Sequence, residues 1–280
     1  MIQIIKTSCL ILSMGILSFS SSAQFGKLGK GKLNTKTIDA AEKGTKALTF
    51  TNDDAVKLSK EGVDWMDAHN AVADAKDPYA KRLEKIFGKH KNEDGLALNY
   101  KVYKVTDINA FACADGSVRV FSSLMDILTD DEILAVVGHE IGHVKNEDTK
   151  DAIKSAYMRA AVTDAAASQS GAVRQLSESE LGAFAQNFLA AKHSRKQESQ
   201  ADSYSYDFLK KHGYNVTAAY TAFKKLSLLS EGSTQTKSEK MMSSHPDSEA
   251  RANEVKRRAE KDGVWKDPGV VALPTSKLTS

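Results

Sequence analysis

Thr129-Asp130-Asp131-Glu132-Ile133-Leu134-Ala135-Val136-Val137-Gly138-His139-Glu140-Ile141-Gly142-His143-Val144-Lys145 is the stretch from which the rest of the chain is read. Ile133, Val136, Val137, Ile141 and Val144 recur at spacings of three and four, the period of a buried amphipathic helix. Thr129 or Asp130 can cap its start, and Asp131 and Glu132 suit the positive end of the helix dipole. Residues one turn apart share a face, so His139 and His143 aim two imidazoles at one point. That is the two-histidine grip of a zinc site, with Glu140 placed to act as general base on a zinc-bound water. A five-residue pattern can arise by accident. Two imidazoles and a carboxylate among apolar residues are nevertheless costly unless a metal or hydrogen-bond partners satisfy them.

A hydrolytic zinc keeps three protein ligands and one open position, so a third must come from another element. Glu198, 55 residues past His143, is the best candidate, with Asp202 one turn further on the same face. Glu198 can then ligate while Asp202 accepts a hydrogen bond from a ligand imidazole. Read alone, both would be surface carboxylates on a charged helix. His193 is a rival that precedes Glu198 by five residues in the same helical pattern, and is expected to point elsewhere. A closed structural zinc site commonly uses cysteines, and only Cys113 is left for it if Cys9 is removed.

Four separated pieces resemble the HtpX/BepA-type gluzincins, metallopeptidase family 48: Asn109-Ala110-Phe111, His139 to His143, Glu198-x-x-x-Asp202, and Ser244-His245-Pro246 with Arg251. The resemblance covers roughly Ala97 to Arg258. It implies a zincin-like fold that is mainly α with a small antiparallel β-sheet. It also implies a zinc endopeptidase with one Zn2+ per chain, acting on unfolded or misfolded polypeptides. The implied ligands are His139, His143 and Glu198, supported by Asp202 and Arg251, with Glu140 and His245 as catalytic residues. His245 either hydrogen-bonds the developing oxyanion, occupies the fourth zinc position and holds the enzyme latent, or simply packs before Pro246. Arg251 is expected to be structural, paired with Asp202 or Glu254. Asn109, Ala110 and Phe111, with Val118 and Val120 on the next strand, are the expected substrate contacts. Val118 to Phe121 is read as the rail to which an extended peptide adds. A latent, chaperone-like binding factor that retains the zinc site is the competing reading. The intact Glu140 argues against a dead site.

Along the chain, Met1–Ala23 reads as a secretory signal peptide: a lysine, an apolar run too short to span a bilayer, then small residues. Residues 24–36 read as a flexible lead-in, 37–263 as one domain, and 264–280 as a tail. Export points to the bacterial periplasm or secretion, with peripheral association with the outer membrane or its assembly machinery as an open partner. A net charge of +3 with mixed signs excludes an electrostatic argument for nucleic acid. Helical patterns cover residues 37–75, 78–87, 122–128, 177–211, 217–229 and 246–261, with strands over 97–105, 109–113 and 117–121 joined by an Asp115-Gly116 turn. His90 is expected to be exposed at a polar helix end. The Ala/Ser-rich run after His143 is either a long helix or a lid.

Overall fold

In the computed structural model the described residues are 50–161, 173, 175–230, 238, 241 and 243–274. The signal-peptide and lead-in readings, and residues 162–170 of the Ala/Ser-rich run, lie outside them. The helices are α1 (Asn52–His69), α2 (Pro78–Phe87), α3 (Ser122–Ile127), α4 (Asp130–Lys145), α5 (Asp148–Ala161), α6 (Glu178–Leu189), α7 (Arg195–Lys211), α8 (Thr217–Ser230) and α9 (Ser248–Lys261). The strands are β1 (Asn92–Glu93), β2 (Leu96–Ala97), β3 (Asn99–Tyr103), β4 (Ala110–Ala112) and β5 (Ser117–Phe121). A 3-10 turn over Gly88–His90 follows α2. The class is therefore α+β, mainly helical, as a zincin-like fold requires.

Helix α4 is the axis of the molecule. Thr129 and Glu132 form a reciprocal capping box that satisfies two orphan amides at its start. Every residue from Glu132 to Val144 is buried, so the helix is enclosed on all sides rather than on one face. Its long neighbour is α7. Ser205 on α7 donates its hydroxyl to the Ala135 carbonyl at 2.6 Å. A Cβ on Gly142 would stand 2.9 Å from Ala201 Cα and 3.0 Å from the Ala201 carbonyl, both rigid backbone atoms. Gly142→Ala is therefore expected to force the two helices apart, at a cost of about 1–3 kcal/mol. Urea denaturation checks this; an unchanged midpoint would show that α7 yields freely.

The sheet corrects one expectation. It is mixed, in the order β3-β5-β4: β5 pairs antiparallel with β4 but parallel with β3. After β3 the chain crosses before starting the β4–β5 hairpin, and β5 returns into the gap between its neighbours. Gly116 takes φ +83° in the hairpin turn, the left-handed region that glycine favours. Side chains alternate across the sheet. Val102, Ala110, Ala112, Val118 and Val120 join the core around α4, α7, α8 and α9. Tyr103, Phe111, Cys113 and Phe121 join a second core with α1, α5 and α6.

Arg119 on β5, 2% exposed, anchors α1 to the sheet through Asp67. Its Nε and Nη2 donate to the two carboxylate oxygens at 2.8 and 2.9 Å, and Tyr103 and Lys101 add donors at 2.7 Å each. Burial opposes ionisation of Asp67, but these donors outweigh it and hold its pKa down to about 2. A depressed carboxylate stabilises the fold above its ordinary pKa, and that contribution is lost as pH falls from about 4 towards 2, on the order of 2 kcal/mol. Asp67→Asn also leaves Arg119 unpaired, so a loss of about 3 kcal/mol at pH 7 is expected. Denaturation curves at pH 7 and pH 3 check both statements: the mutant should also show a flatter acid dependence.

Two further expectations change. The single pattern over residues 177–211 is broken into α6 and α7 at 190–194. His90 is 2% exposed, covered by Phe208, His212 and Tyr214. Residues 264–274 form no helix or strand, yet Val264, Trp265 and Leu273 pack on the core. Among the described residues no helix is long and apolar enough to cross a membrane.

Candidate metal centre

The α4 turn from His139 to His143 delivers its imidazoles to one point, where α7 and the segment before α9 meet it. Each ring is oriented from behind by a carboxylate. His139 Nδ1 lies 2.8 Å from Asp202 Oδ1, and His143 Nδ1 lies 2.9 Å from Asp148 Oδ2. A carboxylate only accepts, so the two carboxylates favour a proton on each Nδ1 and leave each Nε2 facing inward, while Arg251 Nη2 also lies 3.1 Å from His139 Nδ1. The two Nε2 atoms are 3.0 Å apart. Glu198 closes a third side, with Oε1 3.3 Å from His143 Nε2 and Oε2 3.6 Å from His139 Nε2. His245 closes the fourth, its Nδ1 3.0 Å from Glu198 Oε1 and 3.2 Å from His139 Nε2.

These separations test the fit of a metal. Bonds of about 2.0–2.1 Å to a tetrahedral ion put its ligand atoms about 3.3 Å apart. His139, His143, Glu198 and His245 form a buried cluster at that spacing. Two imidazole Nε2 atoms 3.0 Å apart beside a carboxylate need a proton or a metal cation between them. Glu198 Oε2 is buried without an aligned hydrogen-bond donor, although Arg251 Nη1 lies 2.8 Å away as an ionic neighbour. The donor set therefore fits a divalent metal.

The electrostatics agree with two rings in different settings. Burial, then the Arg251 charge, pushes His139 down to about 3. Burial acts the same way on His143, but hydrogen bonds to Asp148 and Glu198 outweigh it and raise it to about 9. Burial opposes the Glu198 charge, yet His143 and His245 hold it well below the usual carboxylate range. Burial raises Glu140. Glu140 Oε1 is buried with no hydrogen-bond partner, 3.5 Å from His245 Nε2.

The remaining expected site residues fall in several places. Arg251 pairs with Asp202 rather than Glu254, through contacts of 2.9 and 2.7 Å, and stacks 4.2 Å over Phe223. Glu254 is taken by Arg257 instead. Asn109, Ala110 and Phe111 line a cavity with Glu140, His143 and His245. Val118 and Val120 do not: they lie on the central strand, fully buried, with both edges already paired, so no peptide can add there. Among the described residues β4 is an edge strand with β5 as its strand neighbour, and its Ala110 amide is already taken by Asn109 Oδ1 at 2.9 Å. His193 also corrects its expectation. It lies in the break between α6 and α7, off the helical phase of Glu198, and stacks on His143 with ring centroids 3.8 Å apart. Asp148 was missed altogether. The chain leaves α4 through Asn146 and Glu147, the latter at φ +62°, and turns back so that Asp148 meets His143.

The sequence profile of peptidase family M48 matches residues 81–259. The chain belongs to that family. It is 42% identical over 214 residues to Metalloprotease YcaL of Escherichia coli (strain K12), an alignment covering 76% of this chain and 83% of that protein. It is 38% identical over 228 residues to Metalloprotease LoiP of the same strain, covering 81% and 89%. This M48 protein is a metalloprotease, and its metal dependence has a buried His/Glu cluster to serve it.

Proposed function

We propose that this M48 protein is a zinc endopeptidase that cleaves unfolded or misassembled exported polypeptides, with His139, His143 and Glu198 as ligands and Glu140 as general base. The observation that carries the reading is the orphaned Glu140 Oε1 beside three converging donors. Zinc supplies the Lewis acidity that polarises a scissile carbonyl and acidifies water. Glu140, made more basic by burial, accepts the water proton and passes it to the leaving amine. Asp202 and Asp148 keep the two imidazoles in the ligating tautomer.

The substrate rail is assigned to β4. Asn109 and Cys113 bond to β5 through their backbones, so by alternation those of Ala110 and Ala112 face away from β5. A strand added there must be extended, which selects unfolded chains and reads little sequence. Residues 1–23 support export, and the periplasm is the proposed compartment.

His245 is read as closing a resting state. Its Nδ1 completes the donor set, and the cavity beside Glu140 measures ≈ 30 Å³, room for a water or two and not for a peptide. His245→Ala is then expected to raise casein cleavage by roughly tenfold as the closed population is removed. Purified mature chain, zinc-loaded, is assayed with and without 1,10-phenanthroline. Chelation should abolish cleavage and zinc should restore it. A fall of about 10²-fold in His245→Ala would instead assign the side chain to the oxyanion. If neither protein cuts although zinc fills the His139, His143 and Glu198 site in each, the binding-factor reading replaces this one.

A further inference from the structure

A second cluster of metal-ligating side chains lies at the far end of α7. His90 ends the 3-10 turn, Glu93 sits on β1, and His212 caps the C-terminus of α7. Their donor atoms all lie within 4.8 Å of one another. The two imidazoles approach different oxygens of one carboxylate: His90 Nδ1 is 3.2 Å from Glu93 Oε2, and His212 Nε2 is 3.1 Å from Oε1. Their rings meet edge to face, 4.6 Å between centroids.

We propose that His90, Glu93 and His212 form a second site for a divalent transition-metal ion, zinc being the best match. Two imidazoles and one carboxylate suit zinc, nickel or copper and disfavour magnesium and calcium. The two nitrogen-to-oxygen separations, 3.2 and 3.1 Å, lie close to the roughly 3.3 Å edge of a tetrahedral zinc shell, and the two nitrogens lie within 4.8 Å of each other. The site has the surroundings of a built one. Tyr214 Oη holds His90 Nε2 at 2.8 Å, which fixes that ring with Nδ1 towards the carboxylate. Phe87 and Phe208 wall the same ring on its apolar side. His212, with 26% of its side chain exposed, forms the entrance.

Lys211 is the competitor. Its ammonium lies 2.6 Å from Glu93 Oε1 and 3.0 Å from Asp94 Oδ1, on a side chain that is 53% exposed. An arriving metal displaces it from Glu93, and Asp94 retains it. Occupancy ties the β1–β2 hairpin to the helix that carries Glu198, and so stabilises the end of α7. The site is independent of the catalytic reading, because its residues touch none of His139, His143 or Glu198.

The test uses the full mature chain and Co2+ as the probe, with metal counted by equilibrium dialysis and coordination followed by visible absorption. Wild type is expected to bind two equivalents. His143→Ala, which spoils the first site, keeps the equivalent at His90, Glu93 and His212, and His143→Ala/His212→Gln loses it. Zinc should raise the Tm of the single variant and not of the double. Lys211→Met, which removes no ligand and frees Glu93 Oε1, should tighten the second equivalent by up to roughly fivefold, the weight of one half-exposed ion pair. His212→Gln alone should leave casein cleavage unchanged. Retention of two equivalents by His212→Gln, or a single equivalent in wild type at saturating Co2+, overturns the proposal whatever the peptidase assay shows.

Discussion

Replacing Glu140 by glutamine is expected to lower casein hydrolysis by about 10²–10⁴-fold, the usual weight of a positioned general base, while leaving zinc content unchanged. Glutamine has the same shape, so the α4 packing is kept. Glu140 lies outside the cluster of donors, and its Oε1 is the atom with no hydrogen-bond partner. Burial raises its pKa, which is the wrong direction for an ion-paired structural carboxylate and the right one for a base. Removing a buried carboxylate whose imidazole neighbour His245 stands 3.5 Å away should change stability little. The decisive comparison is kcat/KM at equal zinc occupancy, with a melting curve beside it. A variant that retains zinc and cuts casein within a few-fold of wild type would falsify the general-base assignment. One that loses zinc would make Glu140 part of the metal's support.

The parts of this site that are legible in the sequence are those carried by local periodicity. His139, Glu140 and His143 lie on one continuous helix, and Glu198 and Asp202 keep their one-turn relation because α7 is unbroken between them. What the sequence hid are helix ends and strand order. Residues 190–194 contain no glycine or proline, so the break before α7 is silent in the pattern. Its one signal is the Ser194–Gln197 capping box, in which Ser194 accepts from the Gln197 amide and Gln197 from the Ser194 amide. Reading that box would have taken His193 off the helix and freed it to reach His143. Asp148 needed the left-handed turn at Glu147, which no glycine announces. The parallel pairing of β3 with β5 depends on where the crossover goes, a non-local choice; so does the central place of β5, which removes Val118 and Val120 as a rail.

Arg251→Met is expected to cost about 3–5 kcal/mol in the chelated protein and markedly less in the zinc-loaded one. Arg251 is 8% exposed and is the guanidinium among several carboxylates. Its Nε and Nη2 bind Asp202, its Nη1 faces Glu198 Oε2, and its plane lies over Phe223. Asp202 is the strongest cause of its raised pKa after burial is overcome, so it stays charged throughout. Methionine fills a similar volume against Phe223 and removes the charge alone. Without zinc, Glu198 and Asp202 then lose their shared counter-charge inside the protein, a penalty well above that of a surface pair. With zinc, the cation compensates Glu198, and Asp202 keeps its bond to His139 Nδ1. Urea unfolding with chelator and with saturating zinc therefore separates two roles. A loss concentrated in the chelated protein identifies Arg251 as the charge that keeps the ligand set folded before metal arrives. Equal losses in both states would make it a packing residue that joins α9 to α7, with no share in the charge balance of the centre.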